Sequence, residues 1–382
     1  MLAGFPPGKL FAKQIVTGFG ILLAGVVTES FGYYGYFGSV ISSGNFFQAA
    51  TWTDPANVAA LWQRFFLMEA LQIIGWCMIL TAIIQYFLYQ RDGVQKFTRN
   101  LIILGVLTLL IFILSLVIWH FVDNWSIWKP VPGTSPGDYH YSWPSDQLQA
   151  YNHSFLSWLM TIIAGDCYPL FPYLGQSLLR AIMGVATAHP KPHRRLPWMG
   201  FGLFLALLIA GGLCAWLLPF DISFERPTMG FFFFLMAGQV GTIVLLFYLI
   251  DWRGKGERFA NNIVVKYFRT WGMVALTIFA LQIWSFVPRA IFNWTIPSMN
   301  LLSEQFPARD RGWIVLIFAI VTILFYDLLI WFWAQINFIG TFEWIIIKLG
   351  VVITKQPSKR LNFKYMLNEV AWMNYQPLIS TT

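Results

Sequence analysis

Long apolar segments constrain this chain more than any other feature. The hydrocarbon core of a bilayer is about 30 Å thick, so a helix that crosses it needs roughly 20 apolar residues. Backbone polar groups in lipid must also be satisfied within the segment, which favours helices. The sequence therefore predicts an all-α, polytopic membrane protein of about eight transmembrane helices. They are expected at about residues 14–33, 65–88, 100–121, 166–187, 197–218, 228–250, 270–291 and 312–336.

Composition agrees with this class. Only 11% of the residues are charged and 57% are hydrophobic, whereas soluble domains have roughly 25% charged residues. Two shorter amphipathic pieces, 153–165 and 341–350, are predicted to be interfacial or re-entrant helices. We expect residues 1–350 to form a transmembrane helical domain and residues 351–382 to form a cytoplasmic C-terminal tail.

The distribution of basic residues predicts the topology. Of the 25 Lys and Arg residues, 18 fall in the two tails and in alternate loops, six fall in the other loops, and Arg180 lies inside a segment. Loops rich in Lys and Arg stay in the cytoplasm, so both termini are expected there, with an even number of crossings between them and the plasma membrane as the expected compartment. The net charge of +8 is explained by these loops, and no nucleic-acid partner is expected because the sequence has no polar basic domain.

The stretch Thr161–Gly184 combines apolar character with groups that a lipid-facing helix excludes. Pro169 and Pro172 each remove a backbone donor. Asp166 and Arg180 are costly at membrane depth. We therefore predict a broken, protein-buried membrane element at this position.

Polar residues inside the predicted helices fall at two levels, at a rise of 1.5 Å per residue. Those near the outer ends are Glu29, Glu69, His120, Asp166 and Arg289, with His153 just outside. Those in the inner part are Arg180, Asp327 and Gln85, while Gln239, Gln282 and Ser285 lie in the middle and outer parts of their helices. This pattern predicts a polar cavity that opens outward and a second polar zone nearer the cytoplasm. The alternative is that end residues are solvated and that Arg180 and Asp327 snorkel or pair.

Candidate roles follow from the chemistry of these side chains. His153 is a candidate general base for a hydroxyl or an amine, since histidine ordinarily titrates near neutral pH. Asp166 is a candidate to orient it, and Arg289 is the third catalytic candidate. The substrate-binding candidates are Glu69, His120, Gln282, Arg180 and Asp327. No metal site is expected, because the three cysteines stand singly in apolar segments.

Four stretches occur together in a characteristic order. They are LMEALQIIGWCMIL (Leu67–Leu80), AGDCYPLFPYLGQSLLRAIMG (Ala164–Gly184), FRTWGMVALTIFALQIWS (Phe268–Ser285) and FIGTFEWIIIKLG (Phe338–Gly350). In this order they resemble the YeiB-type and heparan-α-glucosaminide N-acetyltransferase-like proteins of the transmembrane acyltransferase superfamily. The most characteristic are Arg269–Thr277 and Gly340–Trp344.

The resemblance implies an activity. Such proteins move an acyl group, often acetyl, from a cytoplasmic thioester to a sugar or glycan beyond the membrane. Acetyl-CoA or another acyl-CoA would be a co-substrate, with no bound cofactor, and Lys and Arg of the inner loops would meet its phosphates. The partners expected are the lipid bilayer, a glycan or lipid-linked acceptor, and a membrane protein.

The chain departs from the family at its start. Family members usually open with an Arg/Asp-containing helix and an active His soon after it. Here the opening MLAGFPPGKLFAKQIVTGFG resembles the segment after those helices, and no His precedes His120. The expectation is therefore either a chain that lacks the usual first helices or a member without the usual base, and the family's catalytic role is transferred to neither His120 nor His153.

Two other functions remain open from the sequence. Broken helices and polar residues at depth are also expected of a transporter or flippase for a glycan or lipid intermediate. Aromatic outer loops would instead suit the docking surface of a non-catalytic membrane subunit. Substrate uptake without covalent change would favour the first, and a stable partner without activity the second.

Overall fold

The structure is a computed structural model that describes residues 6–31, 40, 45–53, 68–91, 93–124, 155–164, 168–189, 193–222, 227–295, 312–355 and 357–369. Of these residues 84% are helical, and the described part of the chain contains no strand. The all-α class is confirmed.

The described helices fall in two compact units. The first unit contains α1 up to Leu22 and the chain from Phe66 to Val265. Its helices are α1 (Pro7–Phe31), α3 (Ala70–Tyr89), α4 (Phe97–Asn124), α5 (Phe155–Ala164), α6 (Leu170–Thr187), α7 (Leu196–Leu217), α8 (Met229–Leu246) and α9 (Gly256–Ala260), with a π-helical turn at Phe247–Trp252.

The second unit contains Leu23–Phe65, which includes the end of α1, and the chain from Lys266 to Glu369. Its helices are α2 (Ala49–Thr53), α10 (Ile263–Gly272, most of its length), α11 (Ala275–Ala280), α12 (Phe286–Thr295), α13 (Gly312–Gln335), α14 (Phe342–Thr354) and α15 (Phe363–Asn368). Short 3₁₀ turns lie at Gly93–Gln95 in the first unit and at Gln282–Ser285 and Lys359–Leu361 in the second.

Six described helices are long and apolar enough to cross a membrane. These are Pro7–Thr28, Ala70–Tyr89, Phe97–Phe121, Leu196–Leu217, Met229–Trp252 and Gly312–Gln335. They coincide with six of the eight predicted segments, and the protein is an integral, multi-pass membrane protein. The other two predicted segments take different forms.

The fourth predicted segment is helix α6, which is more polar than a lipid-facing span. Phe171 has non-helical backbone angles, φ −99° and ψ 115°, so the helix is kinked beside Pro172 as the two prolines predict. Leu174 and Leu178 are buried in a core cluster with Ile73, Cys77 and Leu104, which come from α3 and α4. The apolar face of helix α6 is therefore packed against neighbouring helices, while its polar residues Gln176 and Ser177 are half-buried and Arg180 is exposed.

The seventh predicted segment, 270–291, is not one helix. Helix α10 ends at Gly272, Met273 and Val274 interrupt the helical backbone, and α11 begins at Ala275. Helix α11 is followed by the 3₁₀ turn at Gln282–Ser285 and then by α12. The prediction of a continuous span is wrong here, because hydropathy alone does not detect a break between apolar residues.

The two predicted amphipathic pieces are helices α5 and α14. Helix α14 runs to Thr354, and the chain after it folds back within the second unit. There the Phe363 ring lies 5.1 Å from the Phe338 ring, edge to face, and Lys266 Nζ donates to Asn368 Oδ1 at 3.0 Å. The described residues beyond 350 are thus part of the second unit.

Candidate functional site

A polar cavity lies among helices α1, α3 and α6 of the first unit, and we call it the inner cavity. Its volume is about 330 Å³. Apolar lining comes mainly from α3, through Ile73, Ile74, Cys77 and Met78. The polar side chains that line it are Gln14, Thr81, Gln85, Tyr173, Gln176, Ser177 and Arg180.

The polar lining of the inner cavity follows helix periodicity. On α6, Tyr173, Gln176, Ser177 and Arg180 have the spacing i, i+3, i+4 and i+7, which places them on one face. The sequence therefore produces a polar stripe on α6, and the fold directs that stripe into a cavity.

Hydrogen bonds between helices fix this lining. Gln14 Nε2 donates to Gln85 Oε1 at 3.0 Å and joins α1 to α3. The Thr81 and Ser177 hydroxyl oxygens are 2.9 Å apart and join α3 to α6. These hydrogen bonds, which are partly buried, hold the side chains in one geometry.

Arg180 is held at the edge of the inner cavity by helix α8. Its Nη2 donates to Gln239 Oε1 at 3.1 Å, and Gln176 Nε2 donates to the same oxygen at 2.6 Å. Among the described residues that line the cavity, Arg180 alone carries a charge. The arrangement is a single oriented cation beside neutral amides and hydroxyls.

Two residues of the predicted inner polar zone, Arg180 and Gln85, line the inner cavity. Arg180 lies seven residues before the end of α6 at Thr187, about 10 Å along the helix axis. Gln85 lies four residues before the end of α3 at Tyr89, about 6 Å. The sequence predicts a shared level for Arg180 and Gln85, and the structure brings both to one cavity.

Asp327, the other predicted inner residue, belongs to the second unit. Its Oδ2 accepts from the Tyr267 hydroxyl at 3.1 Å, and its Oδ1 accepts from Trp271 Nε1 at 2.8 Å. Both carboxylate oxygens are therefore engaged by α10. Asp327 therefore holds α13 against α10 by hydrogen bonds. A pairing role is one of the alternatives stated above for Asp327.

The two most characteristic stretches of the family resemblance meet in the second unit. Glu343 Oε1 accepts from the backbone N–H groups of Leu276 at 2.6 Å and Thr277 at 3.1 Å. Its Oε2 accepts from the Thr277 hydroxyl at 2.5 Å. Thr277 Oγ1 in turn accepts from the Phe342 N–H at 2.8 Å. Glu343 thus caps α11 from a distant part of the chain.

A smaller cavity of about 230 Å³ lies beside this contact, and we call it the motif cavity. Its lining includes Gly272, Thr341 and Glu343 from the two stretches, and Arg360 and Phe363 from the chain that folds back.

The remaining predicted site residues are dispersed over the described chain. Glu69 is half-buried at the start of α3 and His120 is exposed near the end of α4. Gln282 is in a 3₁₀ turn, and the Arg289 guanidinium carbon lies 6.0 Å from the centre of the Phe318 ring. His153, Asp166 and the side chain of Glu29 lie outside the described residues.

Sequence reasoning missed several residues of these sites. Gln14, Thr81, Gln176 and Ser177 are not among the predicted site residues, although the i, i+4 spacing of Gln176 and Arg180 is a readable signal. Thr277 and Glu343 lie inside the characteristic stretches, but the sequence assigns them no role. Comparison with protein-family models, with curated proteins and with solved structures finds no match for this chain.

Proposed function

We propose that the protein is a membrane acyltransferase, which moves an acyl group, such as acetyl, from a cytoplasmic thioester to a sugar or glycan on the other side of the membrane. The observation that carries the proposal is the inner cavity with its oriented Arg180. Polar and charged groups inside a membrane domain are costly, and they mark binding sites and pathways. The plasma membrane and cytoplasmic termini belong to the same proposal.

The chemistry of the inner cavity suits a thioester. A guanidinium has five N–H donors, and Arg180 directs one nitrogen at Gln239. The other donors can bind the thioester carbonyl oxygen and stabilise the oxyanion that forms on it. Amides and hydroxyls of Gln85, Gln176 and Ser177 suit the polar atoms beside that carbonyl.

The reaction has simple atom balance. A hydroxyl oxygen or amine nitrogen of the acceptor attacks the carbonyl carbon of acyl-CoA, and the C–S bond breaks. The leaving thiolate is neutralised by the proton that the acceptor loses. The base must adjoin the carbonyl that it serves, so the proposal requires the acyl group to reach from Arg180 to the outer-level candidates. These are His153 as the base, Asp166 as its orienting group and Arg289, which would bind the acceptor.

The two most characteristic stretches of the resemblance are in contact with each other. The stretches at Arg269–Thr277 and Gly340–Trp344 are linked by the hydrogen bonds between Glu343 and Thr277.

The test uses membranes that contain the full chain, radiolabelled acetyl-CoA and the glycans of those membranes. Arg180→Gln is expected to lower label transfer about 100-fold or more, as loss of one oxyanion donor does, and Arg180→Lys to retain part of it. Arg258→Gln is the matched control, since Arg258 is exposed and lies outside the inner cavity. Asp166→Ala is expected to abolish transfer, and unchanged transfer would remove Asp166 from the site.

A transporter or flippase of a glycan or lipid intermediate is the second candidate. The interruption of the chain between α10, α11 and α12 favours it, because discontinuous helices beside polar groups are typical of transporters. Uptake of a labelled lipid-linked glycan into proteoliposomes, with its mass unchanged, would support transport. Recovery of the acetylated glycan would support acyl transfer instead.

A further inference from the structure

A second cavity of the first unit has a different character, and we call it the basic cavity. Its volume is about 690 Å³. The residues that line it come from the chain around the start of α4 and from the connection between α6 and α7: Gln95, Lys96, Phe97, Thr98, Arg99, Leu101, Ala186, His189, His193, Leu196 and Met199. Lys96 and Arg99 supply its positive charge, Gln95, Thr98 and the two histidines are its other polar residues, and no described lining residue is acidic.

The basic side chains are held in position. Arg99 Nη2 donates to the Leu88 carbonyl oxygen at 3.1 Å and to Asn100 Oδ1 at 3.0 Å. Asn100 is fully buried, and its Nδ2 donates to the Gly93 carbonyl oxygen at 2.7 Å. The guanidinium is thus anchored to a rigid turn, which lowers the entropy cost of binding an anion.

The histidines add a hydrogen-bond donor. His193 Nδ1 accepts the backbone N–H of Arg195 at 3.1 Å. In a neutral imidazole with Nδ1 as the acceptor, the proton lies on Nε2, which then donates. The ring of His189 lies 4.4 Å from the ring of Phe97, and this contact fixes it at the wall of the cavity.

Two helix N-termini meet the basic cavity. Helix α4 begins at Phe97 and α7 begins at Leu196, and residues of both first turns line the cavity. First turns leave backbone N–H groups without intrahelical partners, and no side chain in the described part of the chain caps α7. The partial positive charge of these turns adds to that of the side chains.

The lining changes from basic to apolar towards the membrane helices. Leu101, Ala186, Leu196 and Met199 form the apolar part. Beyond it, Ile102 is 60% exposed and Trp198 is 71% exposed, on helices that are apolar enough to cross a membrane. Exposed apolar side chains of α4 and α7 are therefore available to contact the acyl chains of a lipid.

We propose that the basic cavity binds the phosphate of an anionic phospholipid, whose acyl chains lie along α4 and α7. A basic pocket between the ends of transmembrane helices is the arrangement that binds anionic lipid headgroups. The apolar part of the lining distinguishes an amphiphile from a soluble nucleotide. This inference is independent of the acyl-transfer proposal, because it concerns equilibrium binding without turnover.

The test is native mass spectrometry of the full-length protein, purified in detergent and titrated with phosphatidylglycerol or with phosphatidylcholine of the same chains. We expect clear selectivity for phosphatidylglycerol. Lys96→Gln is expected to weaken phosphatidylglycerol binding about fivefold, and Lys96→Glu to weaken it further. Lys255→Gln and Lys255→Glu are the matched controls, because Lys255 is exposed and outside the cavity.

Lys96 is exposed, so its replacement leaves the core intact, and equal thermal stability of the variants is the check. Coenzyme A is the second probe, because it carries phosphates without acyl chains. Binding of coenzyme A that depends on Lys96, with no selectivity for phosphatidylglycerol, would overturn the proposal. Equal retention of both lipids, or equal loss in the Lys96 and Lys255 variants, would also overturn it.

Discussion

Glu343 shows how one carboxylate can hold an interrupted segment together. It accepts three hydrogen bonds at the start of α11. Hydrogen bonds to a charged group contribute roughly 1.5–3 kcal/mol, so Glu343→Ala is expected to lower the free energy of unfolding by about 2 kcal/mol. Glu343→Gln keeps the shape without the charge and is expected to lose about half as much.

The measurement for Glu343 is thermal unfolding of the purified full-length protein in detergent. A midpoint lower by roughly 2–4 °C per kcal/mol is expected. Glu257→Gln is the control, since Glu257 is exposed in α9 and makes no side-chain hydrogen bond among the described residues. Equal midpoints for Glu343→Ala and the control would show that the cap adds no stability.

At the scale of elements, two glycines set the distance between α1 and α3. A Cβ on Gly75 would lie 2.6 Å from Leu22 Cγ and 2.9 Å from the Gly18 carbonyl oxygen. A Cβ on Gly18 would lie 2.6 Å from Ile79 Cγ1 and 3.1 Å from the Gly75 carbonyl oxygen. Close backbone approach through small residues is how membrane helices associate.

Gly75→Ala is therefore expected to separate α1 from α3. Overpacking costs about 1–3 kcal/mol, and the separation would also weaken the Gln14–Gln85 hydrogen bond at the inner cavity. Gly105→Ala in α4 is the matched control, because a Cβ on Gly105 would have no described neighbour within 4 Å. Lower thermal stability for Gly75→Ala alone is the expected result, and equal stability of the two would contradict close packing.

The elements differ in how far they could be predicted. Helix α13 has an almost entirely apolar sequence, so lipid exposure and a helical backbone follow directly from composition. The break between α10 and α11 could not be predicted in this way. Glu343 caps the start of α11 but lies at least 66 residues away in sequence from the groups that it caps, so the residues around the break do not reveal it. Helix α6 is intermediate, since its prolines and Arg180 predict a broken, enclosed element.

At the scale of the whole molecule, the sequence predicts depth better than proximity. Counting along each helix places Arg180 and Gln85 at one level, and both line the inner cavity. Counting also places Asp327 there, yet it belongs to the second unit and binds Tyr267 and Trp271. Which residues come close together depends on how each helix is rotated about its axis and on which helices pack against each other. Hydropathy determines neither.

Topology tests the role of α6 and of the interrupted segment together. Six continuous apolar helices are found in the described chain, and α6 with 18 residues is long enough, at about 27 Å, to cross as well. The distribution of basic loops then predicts that the segment α10–α12 crosses too. It places Asp221 and Gly312 outside and Arg253 and Lys355 in the cytoplasm.

Single cysteines at these four positions, in a chain whose Cys77, Cys167 and Cys214 are replaced by serine, make the topology measurable. A membrane-impermeant maleimide applied to intact cells should label Asp221→Cys and Gly312→Cys. Arg253→Cys and Lys355→Cys should react only after permeabilisation. If Gly312→Cys also required permeabilisation, α10–α12 would re-enter the membrane from the cytoplasmic side without crossing, because a break at Met273–Val274 suits a re-entrant turn as well as a crossing.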